Sequence, residues 1–234
     1  MKSRGLPYAS LLKDYANNKD LHKGISLHGD IVKHDLLRTN PCIANTLICM
    51  YAKCGDLSKA RNVFEEIHFR DFVSWNALIS GYIQHGQSDV ALNLLGMMPN
   101  QGLPPDVVTS ICTLKACSKT RDIGKGKQIH SKIMNSCSIE KDIALGNALV
   151  DMYAKCGVLP IAQILLEELP RRDVISWNAL IGGYNQHGKY YESLDCFDLM
   201  QKEGLSPDVI TFTCILKACG NLRDREKGKQ IHED

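Results

Sequence analysis

Aromatic residues make up only 6% of the 234 positions, and the charges nearly cancel: 28 lysines and arginines stand against 26 aspartates and glutamates, a formal net of +2. So even a balance excludes attraction of a polyanion by bulk charge, and any such contact must rest on placed residues. No apolar run approaches the roughly 18 to 20 residues that cross a bilayer. The segment from Met1 to His22 lacks the Arg- and Ser-rich, acid-poor character of a transit peptide. A soluble chain is expected, without a membrane partner and without a readable address. Ten cysteines are present but none forms a C-x-x-C pair, and the pairs Cys112/Cys117 and Cys214/Cys219 miss the usual zinc spacing, so free thiols are expected and no metal. Cys54 and Cys156, each followed by glycine, read as small buried thiols at a helix end. No Ser-His-Asp or Cys-His constellation stands out. The GKGK stretch Gly124–Lys127 lacks the frame of a phosphate loop and loses its first glycine in its copy, so it reads as a helix start packed on a neighbour. No enzyme, cofactor or small-molecule substrate is expected.

What is present is repetition. Lys115–His130 (KACSKTRDIGKGKQIH) returns as Lys217–His232 (KACGNLRDREKGKQIH), Tyr51–Leu57 (YAKCGDL) as Tyr153–Leu159 (YAKCGVL), and Ser74–Ile79 (SWNALI) as Ser176–Ile181, every pair displaced by 102 residues. Within that period lie three helix-pair units. The first runs Gly5–Asn40 and Val107–Asp142 (36 residues), the second Pro41–Asp71 and Ile143–Asp173 (31), and the third Phe72–Asp106 and Val174–Asp208 (35). A seventh starts at Val209 and is cut at Asp234. In the third unit Trp75, Leu78, Ile79, Tyr82 and Ile83 recur at helical spacing, Gly86 stops that helix, and Val90, Ala91, Leu94, Leu95 and Met98 stripe a second one before Gly102 and Pro104. A helix pair of this size cannot bury its apolar faces alone, so neighbouring pairs must stack. The expected fold class is all-α, a right-handed α-solenoid of helix-turn-helix repeats. A uniform 34-residue period, as in peptide-binding tetratricopeptide arrays, is contradicted by the 36, 31 and 35 alternation.

The runs NALISGYIQHG (Asn76–Gly86), YAKCG (Tyr51–Gly55) and GKQIH (Gly126–His130) resemble the P, S and L motifs of plant pentatricopeptide repeat (PPR) proteins. Their order, L-S-P-L-S-P-L, resembles the PLS subclass, whose members are mostly organellar C-to-U RNA editing factors. The resemblance implies a single-stranded RNA partner and a mitochondrial address, with the chloroplast as alternative. Such factors often continue into a zinc deaminase domain with H-x-E and P-C-x-x-C strings, which are absent from this sequence. A fragment without the C-terminal extension and deaminase domains is therefore expected, any deaminase being a partner supplied in trans.

In this family each repeat reads one base through two or three side chains, taken from the fifth and last residues of a motif. Matched to this sequence, these are Asn45 with Asp71, Asn76 with Asp106, Asn147 with Asp173, and Asn178 with Asp208. The resemblance makes such a pair a pyrimidine reader favouring U over C. An Asn amide offers a donor and an acceptor to a base edge. The second residue of each motif would flank the base: Val73 and Ile175 fit an apolar sandwich, whereas Cys42 and Ala144 are smaller, so the S units should grip less firmly. The L units are weak readers, with Ala9 and Asn40 in one and Ile111 and Asp142 in the other, while the seventh unit offers Thr213 without its last residue. The implied target is N-Y-U-N-Y-U-N. Any single Asn or Asp near a helix start is more often a cap than a reader; four pairs in motif register reverse that estimate. The histidines share motif positions too, His28 with His130 and His232, and His85 with His187, which points to packing or helix ends. A protein-binding solenoid or an inert truncated fragment are the alternatives.

Overall fold

A computed structural model describes residues 6–103, 106–135, 142–226 and 228–229. Among the described residues all regular structure is helical. The chain divides into two compact units, Met1–Cys112 and Thr113–Asp234. The first holds α1 (Leu6–Asn18), α2 (Leu21–Lys33), a four-residue α3 (Leu36–Thr39), α4 (Pro41–Cys54), α5 (Leu57–Glu66), α6 (Phe72–Gln84) and α7 (Ser88–Met97). The division falls inside α8 (Val107–Thr120). The second continues with α9 (Ile123–Asn135), α10 (Ile143–Lys155), α11 (Leu159–Glu168), α12 (Val174–Gln186), α13 (Tyr190–Lys202) and α14 (Val209–Leu222).

Local chemistry sets the helix ends. Pro41 occupies the first turn of α4, where its missing N–H costs nothing, and Gly55 closes that helix in the left-handed region at φ 89°. Asp56 caps α5 by accepting the Lys59 N–H at 3.0 Å. Its counterpart Val158 has no such group, and α11 begins with Pro160 in its first turn and no side-chain cap. Pro99 opens a 3₁₀ turn (Pro99–Gln101), so α7 has 10 residues, whereas α13, with Gln201 at the matching position, runs for 13. The expected stripe on α7 holds at Ala91, Leu94, Leu95 and Met98. Leu92 is also buried, however, while Val90 is only half-buried.

Within each unit first helices pack on one another, α1 on α4 on α6 and α10 on α12 on α14, and second helices pack behind them. The first-helix rows come close because glycine faces alanine: a Cβ on Gly81 would lie 2.6 Å from Ala52 Cβ, and one on Gly183 2.5 Å from Ala154 Cβ. Trp75 is buried edge-on against Phe64, their ring centroids 4.8 Å apart. The GKGK stretch is the start of α9, capped by Asp122 through the Lys125 N–H (3.0 Å), with Gly126 packed against the Met152 side chain.

The repeated histidines do structural work. His28 Nδ1 is joined to the Tyr51 hydroxyl at 2.8 Å, and His130 Nδ1 to that of Tyr153 at 2.9 Å. Burial pushes both imidazoles below their ordinary value and the Tyr51 phenol up to about 12, so both pairs are neutral at physiological pH. His85 and His187 cap the C-termini of α6 and α12, and His85 Nε2 donates to the Ala52 carbonyl at 2.8 Å. His232 lies outside the described residues. Cys54 and Cys156 are half-buried rather than buried, each 3.9 Å from a methionine sulfur in its own helix.

Candidate functional site

The four predicted asparagines share one place in their helices, one turn in from the start of α4, α6, α10 and α12. Beyond the first turn they cannot act as N-caps. The four partner aspartates do cap: Asp71, Asp106, Asp173 and Asp208 precede α6, α8, α12 and α14 and accept the N–H of Ser74, Thr109, Ser176 and Thr211 at 2.7–2.9 Å. Each aspartate thus fixes the start of one first helix while facing the asparagine of the preceding one.

Three pairs are hydrogen-bonded directly. Asn45 Nδ2 donates to both Asp71 oxygens at 3.2 and 3.4 Å, Asn147 Nδ2 to both Asp173 oxygens at 3.1 and 3.3 Å, and Asn178 Nδ2 to Asp208 Oδ1 at 2.9 Å. The Thr211 and Ile210 N–H groups, with Asn178, hold the Asp208 carboxyl below the usual carboxylate range despite slight desolvation. The fourth pair is joined through Thr109, whose hydroxyl lies 2.6 Å from Asp106 Oδ1 and 3.4 Å from Asn76 Oδ1.

The asparagines differ in exposure. Asn45 and Asn147 are 8% exposed, whereas Asn76 and Asn178 are half-buried. Asn76 and Asp106 lie in a groove of about 430 Å³ lined by α4, α6 and the start of α8. Val73 and Val108 line the same groove, 58% and 52% exposed, and Lys53 supplies a positive charge there. Ile175 and Ile210 hold the matching places in the compact unit Thr113–Asp234 and are likewise exposed. Cys42 and Ala144 are exposed but small.

The remaining predicted positions are not drawn into such pairs. Asn40 and Asp142 cap α4 and α10, Ala9 and Ile111 are half-buried, and the Thr213 hydroxyl donates to the Val209 carbonyl at 2.6 Å. Sequence reasoning missed Val108 and Ile210, although they are the second residues of their units, as Val73 and Ile175 are of theirs. It also missed Thr109 and Thr211, whose signal was the string D-x-x-T before two helices where the others read D-x-x-S.

Helix pairs stacked on their first helices, with a polar Asn–Asp site recurring at two of every three steps, define an α-helical repeat protein. Residues 70–119 and 172–221 match the PPR repeat family, and residues 42–72 match the PPR repeat. Curated relatives include two pentatricopeptide repeat-containing proteins of Arabidopsis thaliana. The mitochondrial At3g09040 is 37% identical over 99% of this chain and 23% of its own length. The chloroplastic At4g18520 is 35% identical over 95% of this chain and 36% of its own. Among solved structures, PPR10 in complex with an 18-nt psaJ RNA element aligns over 99% of this chain and 34% of its own, with a TM-score of 0.81 at 20% identity. PPR10 from maize aligns with a TM-score of 0.69 at 19% identity. The chain belongs to the pentatricopeptide repeat family, and its fold class is the all-α solenoid of helix-turn-helix repeats expected from the sequence. It spans about a quarter to a third of the length of these relatives.

Proposed function

We propose that the chain binds single-stranded RNA one base per repeat, reading pyrimidines through its four Asn–Asp pairs. The observation that carries this reading is the groove holding Asn76 and Asp106. A polar pair able to meet a base edge shares the groove with Val73 and Val108, two exposed apolar side chains able to cover base faces, with Lys53 at hand for a phosphate. The repeat assignment L-S-P-L-S-P-L, with boundaries at residues 40, 71, 106, 142, 173 and 208, gives the target N-Y-U-N-Y-U-N. Asn45 and Asn147 are buried and flanked by Cys42 and Ala144, which favours the looser Y in the S units.

In this reading the chain is part of a PLS-subclass factor that recognises sites of organellar C-to-U editing, with the deaminase supplied in trans. Support comes from the relatives, whose names carry both mitochondrial and chloroplastic addresses, and from the solved complex of PPR10 with RNA. The mitochondrion is the preferred address.

The test is a gel-shift titration of the purified chain with single-stranded RNA carrying N-Y-U-N-Y-U-N, against the same RNA with its four pyrimidines replaced by adenine. The expected result is tighter binding of the pyrimidine RNA. Equal, weak or absent binding of both contradicts the reading and favours a protein-binding solenoid or an inert piece.

A further inference from the structure

The two third-unit sites carry an additional side chain that the two second-unit sites lack. Thr211 Oγ1 lies 2.6 Å from Asn178 Oδ1 and 3.0 Å from Asp208 Oδ1. An ionised carboxylate only accepts hydrogen bonds, so the Asn178 amide nitrogen must face Asp208, and the one hydroxyl hydrogen goes to the nearer acceptor, the amide oxygen. Asn178 is therefore held at both ends. Thr109 makes the same contacts with the distances reversed, 2.6 Å to Asp106 and 3.4 Å to Asn76, so its hydrogen goes to the carboxylate and its hold on Asn76 is weaker. Ser74 and Ser176 turn their hydroxyls back onto the carbonyls of Asp71 and Asp173, both at 2.8 Å. Asn147 is then held by its nitrogen alone, and its buried Oδ1 has no partner.

We infer that Thr211, and more weakly Thr109, are specificity-determining residues that fix the amide of the preceding asparagine so that it accepts uracil and rejects cytosine. Uracil presents a donor at N3 beside an acceptor at O4, and cytosine presents the reverse. An amide turned end for end exchanges the two patterns, so discrimination between them requires an amide whose sense is fixed. The carboxylate sets the sense of Asn178, and the Thr211 hydroxyl reinforces it and fixes the plane, which leaves one N–H and one lone pair for a base. Asp173 sets the same sense in Asn147 through the amide nitrogen alone, so the plane of that amide is restrained less and its discrimination between the two pyrimidines is weaker. Thr211 touches no base in this scheme; it positions the residue that does.

The inference rests on the RNA reading above, and one experiment separates their failures. Wild-type chain and the Thr211→Val variant are titrated with N-Y-U-N-Y-U-N RNA bearing U or C at the sixth nucleotide, with the adenine-substituted RNA as control. Valine keeps the branched shape and removes the hydroxyl. The U-over-C ratio should fall about fivefold, within the range set by a good base contact, while the preference for pyrimidine over adenine stays. Thr109→Val should lower the ratio at the third nucleotide by less. A role in packing alone would leave the ratio unmoved, and an unchanged ratio in Thr211→Val overturns the inference, as does a wild type that prefers pyrimidines but treats U and C alike. A wild type without pyrimidine preference overturns the RNA reading itself. If melting curves show that the valine variant does not fold, Thr211→Ser decides: its hydroxyl should turn to the Asp208 carbonyl, as that of Ser176 does to Asp173, and the same loss of ratio is expected, while a retained ratio overturns the inference.

Discussion

Asp71, Asp106, Asp173 and Asp208 each do two things with one carboxylate. They cap a helix, a role for which an aspartate contributes about 1 kcal/mol, and they face the asparagine of the preceding pair. Cap and member of the proposed site are therefore one residue, and the choice that sequence composition poses between them is not exclusive. The buried His28–Tyr51 and His130–Tyr153 pairs set a second residue-scale property. Burial depresses both imidazoles in the folded chain, so the unfolded chain binds protons first as pH falls. The stability this adds is fully present above the ordinary histidine value of about 6.5 and is lost as pH falls through the lower folded values. Melting temperatures measured from pH 7.5 to 5 should fall for the wild-type chain. The fall should be shallower for a His28→Phe/His130→Phe variant, and equal slopes would contradict the assignment.

At the scale of the element, the close first-helix contacts decide how tightly neighbouring pairs stack. A Cβ on Gly183 would meet not only Ala154 Cβ but also its Cα at 3.2 Å, and backbone cannot swing aside. Gly183→Ala should therefore force α10 and α12 apart and cost about 1–3 kcal/mol, the range for overpacked cores, read as a lower denaturation midpoint. Gly182→Ala, with open space around it, should not. Much of this level was legible beforehand, because apolar spacing, glycine stops and the 102-residue return all follow from local rules. The burial of Leu92 in place of Val90 was not, since the rotation with which α7 docks on α6 is not set by apolar spacing alone. The site shows the same division. Motif register located the Asn–Asp positions, but a threonine hydroxyl that turns outward to Asn178 and a serine hydroxyl that turns back onto Asp173 are set by three-dimensional neighbours, and only D-x-x-T against D-x-x-S hinted at the difference.

For the whole molecule, a net charge of +2 leaves little to unspecific attraction, so on the proposed reading affinity for RNA is assembled repeat by repeat, as stability is in a stacked array. The central claim is that identity at the asparagine position dictates which base each third unit accepts. The most direct measurement is a competition assay on Asn76→Thr/Asn178→Thr with Asp106 and Asp208 kept, using RNAs that differ only at the third and sixth nucleotides. The account predicts that the preference for U there is lost, because a hydroxyl cannot present the paired donor and acceptor of an amide, while the other positions keep theirs. Selectivity identical to that of the wild-type chain at those two nucleotides would contradict it.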